Sequence, residues 1–387
     1  MSEPRAIRLL SARTIFPLAA LLIAGIVSPS LAAERPAVTR PRATSGDSFI
    51  EPDWSQRLVV TVGQRDADIV GSGATAIQAA VDYVARLGGG TVQIQPGTYR
   101  LRNAIYLQSK VRLAGSGTNT VLLKEPSATT KLAEDSDWYD QEITLADPAG
   151  FAVGDGVCLR ARASHKTSDD IAKRTLIARS GNRFKLDRPL RENFWRQGNA
   201  TVSTLFPLVT GEFITDFAIE NLVLDGNRAQ NANLDGNHAG CIWLQDCSRV
   251  AIRGVTARNY NGDGISWQIC HDVTVENCVS ENNAQLGLHP GSGSQRPVIR
   301  NNRVAGNDIG IFFCWGVKYG LAENNRIEGN RVGVSIGHRD TDNVVTQNEI
   351  LRSGGVGVLF RPERGKDFAG HRNRIEHNRI DRKSTRL

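Results

Sequence analysis

Short runs in which apolar and polar residues alternate recur through the second half of the chain, as in Val273-Thr274-Val275, Val298-Ile299 and Val344-Val345. β-Branched residues at period two mark strands. Between these runs one polar pattern returns: asparagine, any residue, an aliphatic, two residues, asparagine. It is complete from Asn277 to Asn282, from Asn302 through Val304 to Asn307, and from Asn325 through Ile327 to Asn330, and from Asn348 through Ile350 it ends on Ser353. A glycine-aliphatic pair follows each unit, at Gly264-Ile265, Gly287-Leu288, Gly310-Ile311, Gly333-Val334 and Gly357-Val358, in steps of 23, 23, 23 and 24 residues.

A period in this range predicts a solenoid. No unit has room for two amphipathic helices, and the leucine consensus of leucine-rich repeats is absent. About 23 residues at roughly 3.3 Å per strand residue suffice for three short strands and three turns. That is one coil of a parallel β-helix. Coils stacked about 4.8 Å apart would place Asn277, Asn302, Asn325, Asn348 and Asn378 in one column, where side-chain amides can pair up and down the pile and satisfy buried turn backbone. These asparagines are read as a structural ladder and given no chemistry.

Nearer the N-terminus, a helix is expected from Thr75, with Ile77, Val81, Val84 and Leu87 on one face and Gly88-Gly89-Gly90 ending it. A strand over Thr91–Gln95 follows, closed by Pro96-Gly97, then short strands at Ala104–Leu107 and Val111–Leu113. The stretch Gly89-Gly90-Thr91-Val92 … Pro96-Gly97-Thr98-Tyr99 after that helix resembles the N-terminal part of the pectate lyase superfamily of right-handed β-helices. The resemblance implies an all-β, right-handed parallel β-helix of about 23 residues per coil, with an N-terminal helix capping an otherwise open sheet edge. It also implies company that includes polysaccharide lyases, hydrolases, epimerases, tailspikes and adhesins.

The expected organisation runs in six parts. Residues 1–32 read as a secretory signal: Arg5, Arg8 and Arg13 precede an apolar run from Ile15 to Val27, and Ser30-Leu31-Ala32 offers small residues for cleavage. The run is short for a membrane span, so a secreted or periplasmic protein without stable membrane insertion is expected. Residues 33–58 read as a flexible leader, 59–125 as the cap and first coils, and 213–380 as the repeats. Between them, 126–212 lose the repeat and gain strand runs such as Glu142–Leu145, Thr175–Ala178 and Phe184–Leu186 with Gly-Asp and Gly-Asn turns, which predicts an inserted small β subdomain. Residues 381–387 form an irregular tail with no closing strand, as expected of a truncated solenoid.

The formal charge is +7, and three arginines and one glutamate of that balance lie in the signal segment. The remaining mild excess suits an acidic polysaccharide but is spread along the chain, and no basic cluster with interleaved aromatics points to nucleic acid. The six cysteines lack zinc-module spacing. Cys247 and Cys270 stand one coil apart, within disulfide reach on adjacent rungs; buried free thiols are the default.

Candidate chemistry falls just after the glycine-aliphatic pairs, where alternation points side chains outward. His289 opens a small-residue stretch to Ser294, and such residues let a ligand approach the backbone. Phe312, Phe313 and Trp315 form the densest aromatic patch, with Phe313 read as core. His338, Arg339 and Asp340, with Arg361 and Glu363 one coil on, gather bases, acids and guanidinium. In elimination or epimerisation of a uronic acid, arginine suits the carboxylate and histidine suits removal of the C5 proton. The expected catalytic set is therefore His289, His338, Arg339 and Arg361, with Phe312, Trp315, Asp340 and Glu363 binding substrate. The same residues also fit a turn histidine and a solvated salt-bridge cluster. No Asp-Pro-His-Asp signature or paired-aspartate motif occurs; Gly262-Asp263-Gly264 is a lone fragment. Calcium remains open as a cofactor, but no converging oxygen set is visible. A uronate lyase or epimerase is set against a non-catalytic glycan-binding or structural β-helix, with glycoside hydrolysis third because it needs two placed carboxylates.

Overall fold

The computed structural model describes residues 51–162 and 166–381. The expected signal and most of the expected leader, residues 1–50, lie outside the described residues, as does the tail from 382. Three parallel sheets of eleven, nine and eight strands wind around one core. Each coil contributes one strand to each sheet: Val298–Arg300 to the first, Arg303–Ala305 to the second and Ile309–Phe312 to the third.

Period-two alternation carries one residue of each strand into the core, and register stacks these into columns. In the first sheet the column runs Val275, Ile299, Ala322, Val345; in the second Val304, Ile327, Ile350; in the third Leu288, Ile311, Val334. All are buried, each large aliphatic contributing about 1.5–3 kcal/mol. Corners between strands use left-handed residues, among them Asn277, Asn301, Asn324 and Gln347, with φ between 54° and 56°, a conformation asparagine tolerates better than most residues.

The asparagine ladder forms with one change. The Oδ1 atoms of Asn325, Asn348 and Asn378 accept from both the backbone N–H and the Nδ2 of the asparagine one coil before, at 2.9–3.0 Å. Asn277 is not in this column. It takes the left-handed corner, and Cys278 fills the ladder position, donating its N–H to Asn302 Oδ1 at 2.9 Å. Asn283, Asn307 and Asn330 make a second ladder of the same kind.

Helix α1 spans Ala74–Arg86 and buries Ile77, Ala80, Val81 and Val84 against the first coils. Leu87, expected on that face, is the exposed C-cap residue. At Gly89, φ is 106° and a Cβ would stand 2.2 Å from the Lys110 carbonyl oxygen, so only glycine turns the chain here. Among the described residues no helix is long and apolar enough to cross a membrane. Residues 51–57, within the expected leader, are tied down: Glu51 pairs with Arg253 at 2.6 Å and accepts from Trp54 Nε1 at 2.7 Å.

Thr129–Lys131 to Thr201–Ser203 build a separate six-stranded antiparallel sheet. Its core of Leu145, Leu159, Leu176, Phe184 and Phe194 is distinct from that of the coils. The face carrying Cys158 and Ile171 packs against the solenoid core.

Candidate functional site

The outer face of the third sheet carries an irregular column. Trp243, Ser266 and His289 stand in register on successive coils, as do Phe312, Ser335 and Leu359 on later ones. The ring contact between His289 and Phe312, centroids 5.3 Å apart, joins the two runs. The antiparallel sheet roofs the early end, where Lys173 Nζ sits 3.1 Å from the Trp243 ring centroid and burial holds its pKa down to about 7.

His289 is 2% exposed. Its Nδ1 lies 2.8 Å from Asp263 Oδ2 and 3.2 Å from Ser266 Oγ. Asp263 is fully buried, also accepts the Leu286 N–H at 3.0 Å, and has its pKa raised by burial against the opposing pull of His289. The carboxylate thereby fixes a protonated Nδ1 and leaves Nε2 as the basic nitrogen, which has no protein partner. The segment Asn231–Ala239 covers this pair. Gly236 accepts from Ser266 Oγ at 3.0 Å and donates to Gln285 Oε1 at 3.0 Å. A Cβ on Gly236 would fall 1.9 Å from Asp263 Oδ2, so the close approach requires glycine there.

On the far side of Phe312 lies Arg361, its guanidinium carbon 4.4 Å from the ring centroid. Imidazole and guanidinium thus stand within about 10 Å of each other. Arg361 donates to Ser335 Oγ at 2.9 Å, the Phe313 carbonyl at 2.9 Å and Asp340 Oδ2 at 3.1 Å, while its Nε–H has no protein acceptor. Asp340, expected to bind substrate, is instead buried and committed. It accepts the N–H groups of Gly316, Val317 and Gly337 at 2.9–3.0 Å, staples the turn and anchors Arg361. Burial pushes its pKa up to about 6, with those N–H donors and Arg361 opposing.

A second group forms on the turn beyond. Trp315 is 53% exposed and stacks on His338 with centroids 4.6 Å apart and planes 25° off parallel. His338 Nδ1 is 2.7 Å from Glu363 Oε2. Gly337 joins the two groups: a Cβ there would meet Glu363 Oε1 at 2.4 Å and Arg361 Nε at 3.0 Å. Arg339 does not join either. It is exposed, and its guanidinium carbon lies 5.4 Å from the Phe368 ring centroid. Phe313 is core.

Sequence reasoning missed Asp263 as the partner of His289. The signal was present in the period, since Ser266 and His289 are one coil apart and Asp263 opens the same strand as Ser266. Burial pushes the thiol of Cys314, close to Arg361, up to about 12, which disfavours the thiolate. Cys247 and Cys270 are free thiols, the Cys247 N–H meeting Cys270 Sγ at 3.4 Å. Among the described residues no three His, Cys, Asp or Glu side chains converge as a metal site. A cleft of about 620 Å³ between α1 and the 152–155 turn contains none of the candidate residues.

Residues 240–385 match the family model described as the right handed beta helix region. The fold is a right-handed parallel β-helix. No curated protein matches the chain. Solved structures similar to it include the tailspike gp61 of Pseudomonas phage phi297, at 16% identity over 79% of this chain and 56% of that one, with a TM-score of 0.44. A family 28 exopolygalacturonase of Yersinia enterocolitica matches at 15% identity over 84% and 65%, TM-score 0.41. The mannuronan C-5 epimerase A-module of Azotobacter vinelandii matches at 12% over 83% and 97%, TM-score 0.28. The β-helix described here spans little more than half the length of the tailspike.

Proposed function

We propose that this β-helix is an exported, secreted or periplasmic enzyme that removes the C5 proton of a uronic acid in an acidic polysaccharide, leading to β-elimination or C5 epimerisation. The observation that carries the reading is the Asp263–His289 pair, with Nδ1 held and Nε2 unpartnered. Nε2 takes the C5 proton, and the Asp263 carboxylate stabilises the imidazolium that forms. Arg361, across Phe312, supplies the guanidinium nearest His289 for the uronate carboxylate; its Nε–H has no protein acceptor but is enclosed. In elimination the C5–H electron pair becomes the C4–C5 double bond and the C4–O bond breaks, its electrons leaving with oxygen. In epimerisation a proton returns to C5 from the opposite face. Both require the segment carrying Gly236, which packs on Ser266 and Asp263, to move aside, since His289 is enclosed.

A second reading is a glycan binder without chemistry, favoured by the exposed Trp315 stacked on His338 while His289 stays enclosed. The two part in one experiment. The purified protein is incubated with pectate, alginate and hyaluronan, with and without calcium, and followed by the ultraviolet absorbance of unsaturated uronates and by proton NMR of C5 configuration. Turnover of either kind supports the enzyme. Binding that depends on Trp315, with no turnover, supports the binder.

A further inference from the structure

The antiparallel insert roofs the Trp243 end of the column above, and away from that contact it exposes three large aromatic rings together. Trp138 is 52% exposed, Tyr139 62% and Trp195 37%. Trp138 and Tyr139 meet edge to face with centroids 5.7 Å apart. One carboxylate ties the group: Asp137 accepts from Trp195 Nε1 at 2.8 Å and from the Tyr139 hydroxyl at 3.2 Å. The backbone beneath is equally fixed. The Trp138 N–H donates to Asn193 Oδ1 at 2.9 Å, its carbonyl accepts the Arg191 N–H at 2.7 Å, and Phe194 and Ser136 pair across the two segments. Two of the polar handles are thus satisfied within the protein, and ring surface is left to solvent.

Such a patch costs free energy unless something covers it, and its composition says what. In residues 134–140 and 191–196 every large exposed apolar side chain is aromatic, and Phe194 is buried. Rigid rings set among hydrogen-bonding side chains suit a ligand with an apolar face and a polar rim. Sugar rings have that shape. The local charge narrows the class: Glu134, Asp135, Asp137, Asp140 and Glu192 stand with Arg191 and Arg196 and with Arg183 and Lys166, which pair with Glu134 and Glu192, so no cationic excess is left to draw a uronate. We infer that the Trp138–Tyr139–Trp195 surface is a second glycan-binding site, one that stacks neutral pyranose rings.

The test uses the full chain and titration calorimetry with cello-, manno- and xylo-oligosaccharides, and oligo-alginate for contrast. A neutral oligosaccharide should bind, with affinity falling about tenfold or more in Trp138→Ala and in Trp195→Ala and unchanged in Tyr83→Ala, an exposed aromatic on α1. Circular dichroism checks that the variants fold. The inference is overturned if no neutral oligosaccharide binds, if binding survives in the double variant W138A/W195A, or if the patch drives self-association in sedimentation without binding sugar. Because the ligand is neutral and the readout is binding, none of these results bears on proton abstraction by His289.

Discussion

Two polar columns run along this solenoid. The ladder from Asn302 to Asn378 repeats one residue on every coil; each rung after Asn302 receives two hydrogen bonds from the rung before, and every rung donates to a strand carbonyl. The outer column Trp243, Ser266, His289, Phe312, Ser335 has no residue type common to successive coils, and it contains a buried ring nitrogen with no protein partner. A buried polar group that is paired in the same way on each coil serves the stack. One that is held on a single side, by a residue that does not recur, is poised for something else. Burial alone does not separate them, since Asn325 and His289 are both enclosed.

The sharpest way to break this contrast is His289→Gln, which keeps a donor toward Asp263 and removes the base. Turnover of a uronate polymer should fall about 10²- to 10⁴-fold, while the urea midpoint stays near wild type. The ladder should respond in the opposite sense. Asn325→Ala orphans the Asn302 N–H and the Ile299 carbonyl, each costing about 1–3 kcal/mol, so urea unfolding should show a loss of about 3 kcal/mol, with the rate per folded molecule unchanged.

Asp340 tests whether the anchor beneath Arg361 is electrostatic. Its folded pKa of about 6 lies above the ordinary 3.8, so the folded state binds the proton more tightly. The stability this contributes is present at low pH and is lost as pH rises from about 4 to about 6. In paired unfolding curves, the advantage of wild type over Asp340→Asn should narrow across that window, by up to about 3 kcal/mol. A constant difference would mean the carboxyl does not titrate there. The smallest effect is expected at Trp315→Ala: about tenfold weaker glycan binding, near 1.4 kcal/mol, with kcat preserved.

The coils were legible because a 23-residue period survives in the glycines and asparagines, and β-branched alternation fixes which side faces in. The ladder was legible for the same reason, apart from Asn277, whose left-handed corner and neighbouring Cys278 cannot be told apart by spacing alone. His289, Phe312, Trp315 and Arg361 could be placed because they follow the period. What joins them could not. Asp263 looked isolated in sequence and becomes the partner of His289 only when adjacent coils are laid side by side. Arg339 and Asp340 are consecutive, yet a turn with φ of 47° at His338 and 68° at Arg339 sends one outward and buries the other. The cover that Gly236 forms over Asp263 comes from a segment with no repeat at all, so no periodic argument could reach it.

Proton removal by His289 can be read directly by isotope exchange. Wild type and His289→Gln are incubated with alginate, pectate and hyaluronan in heavy water, and the products are examined for deuterium at C5 and for unsaturated ends. Wild type should give one or the other on at least one polymer, and His289→Gln neither. Exchange or elimination that persists without the histidine, or a wild-type protein that gives neither product, would contradict a catalytic role for the Asp263–His289 pair.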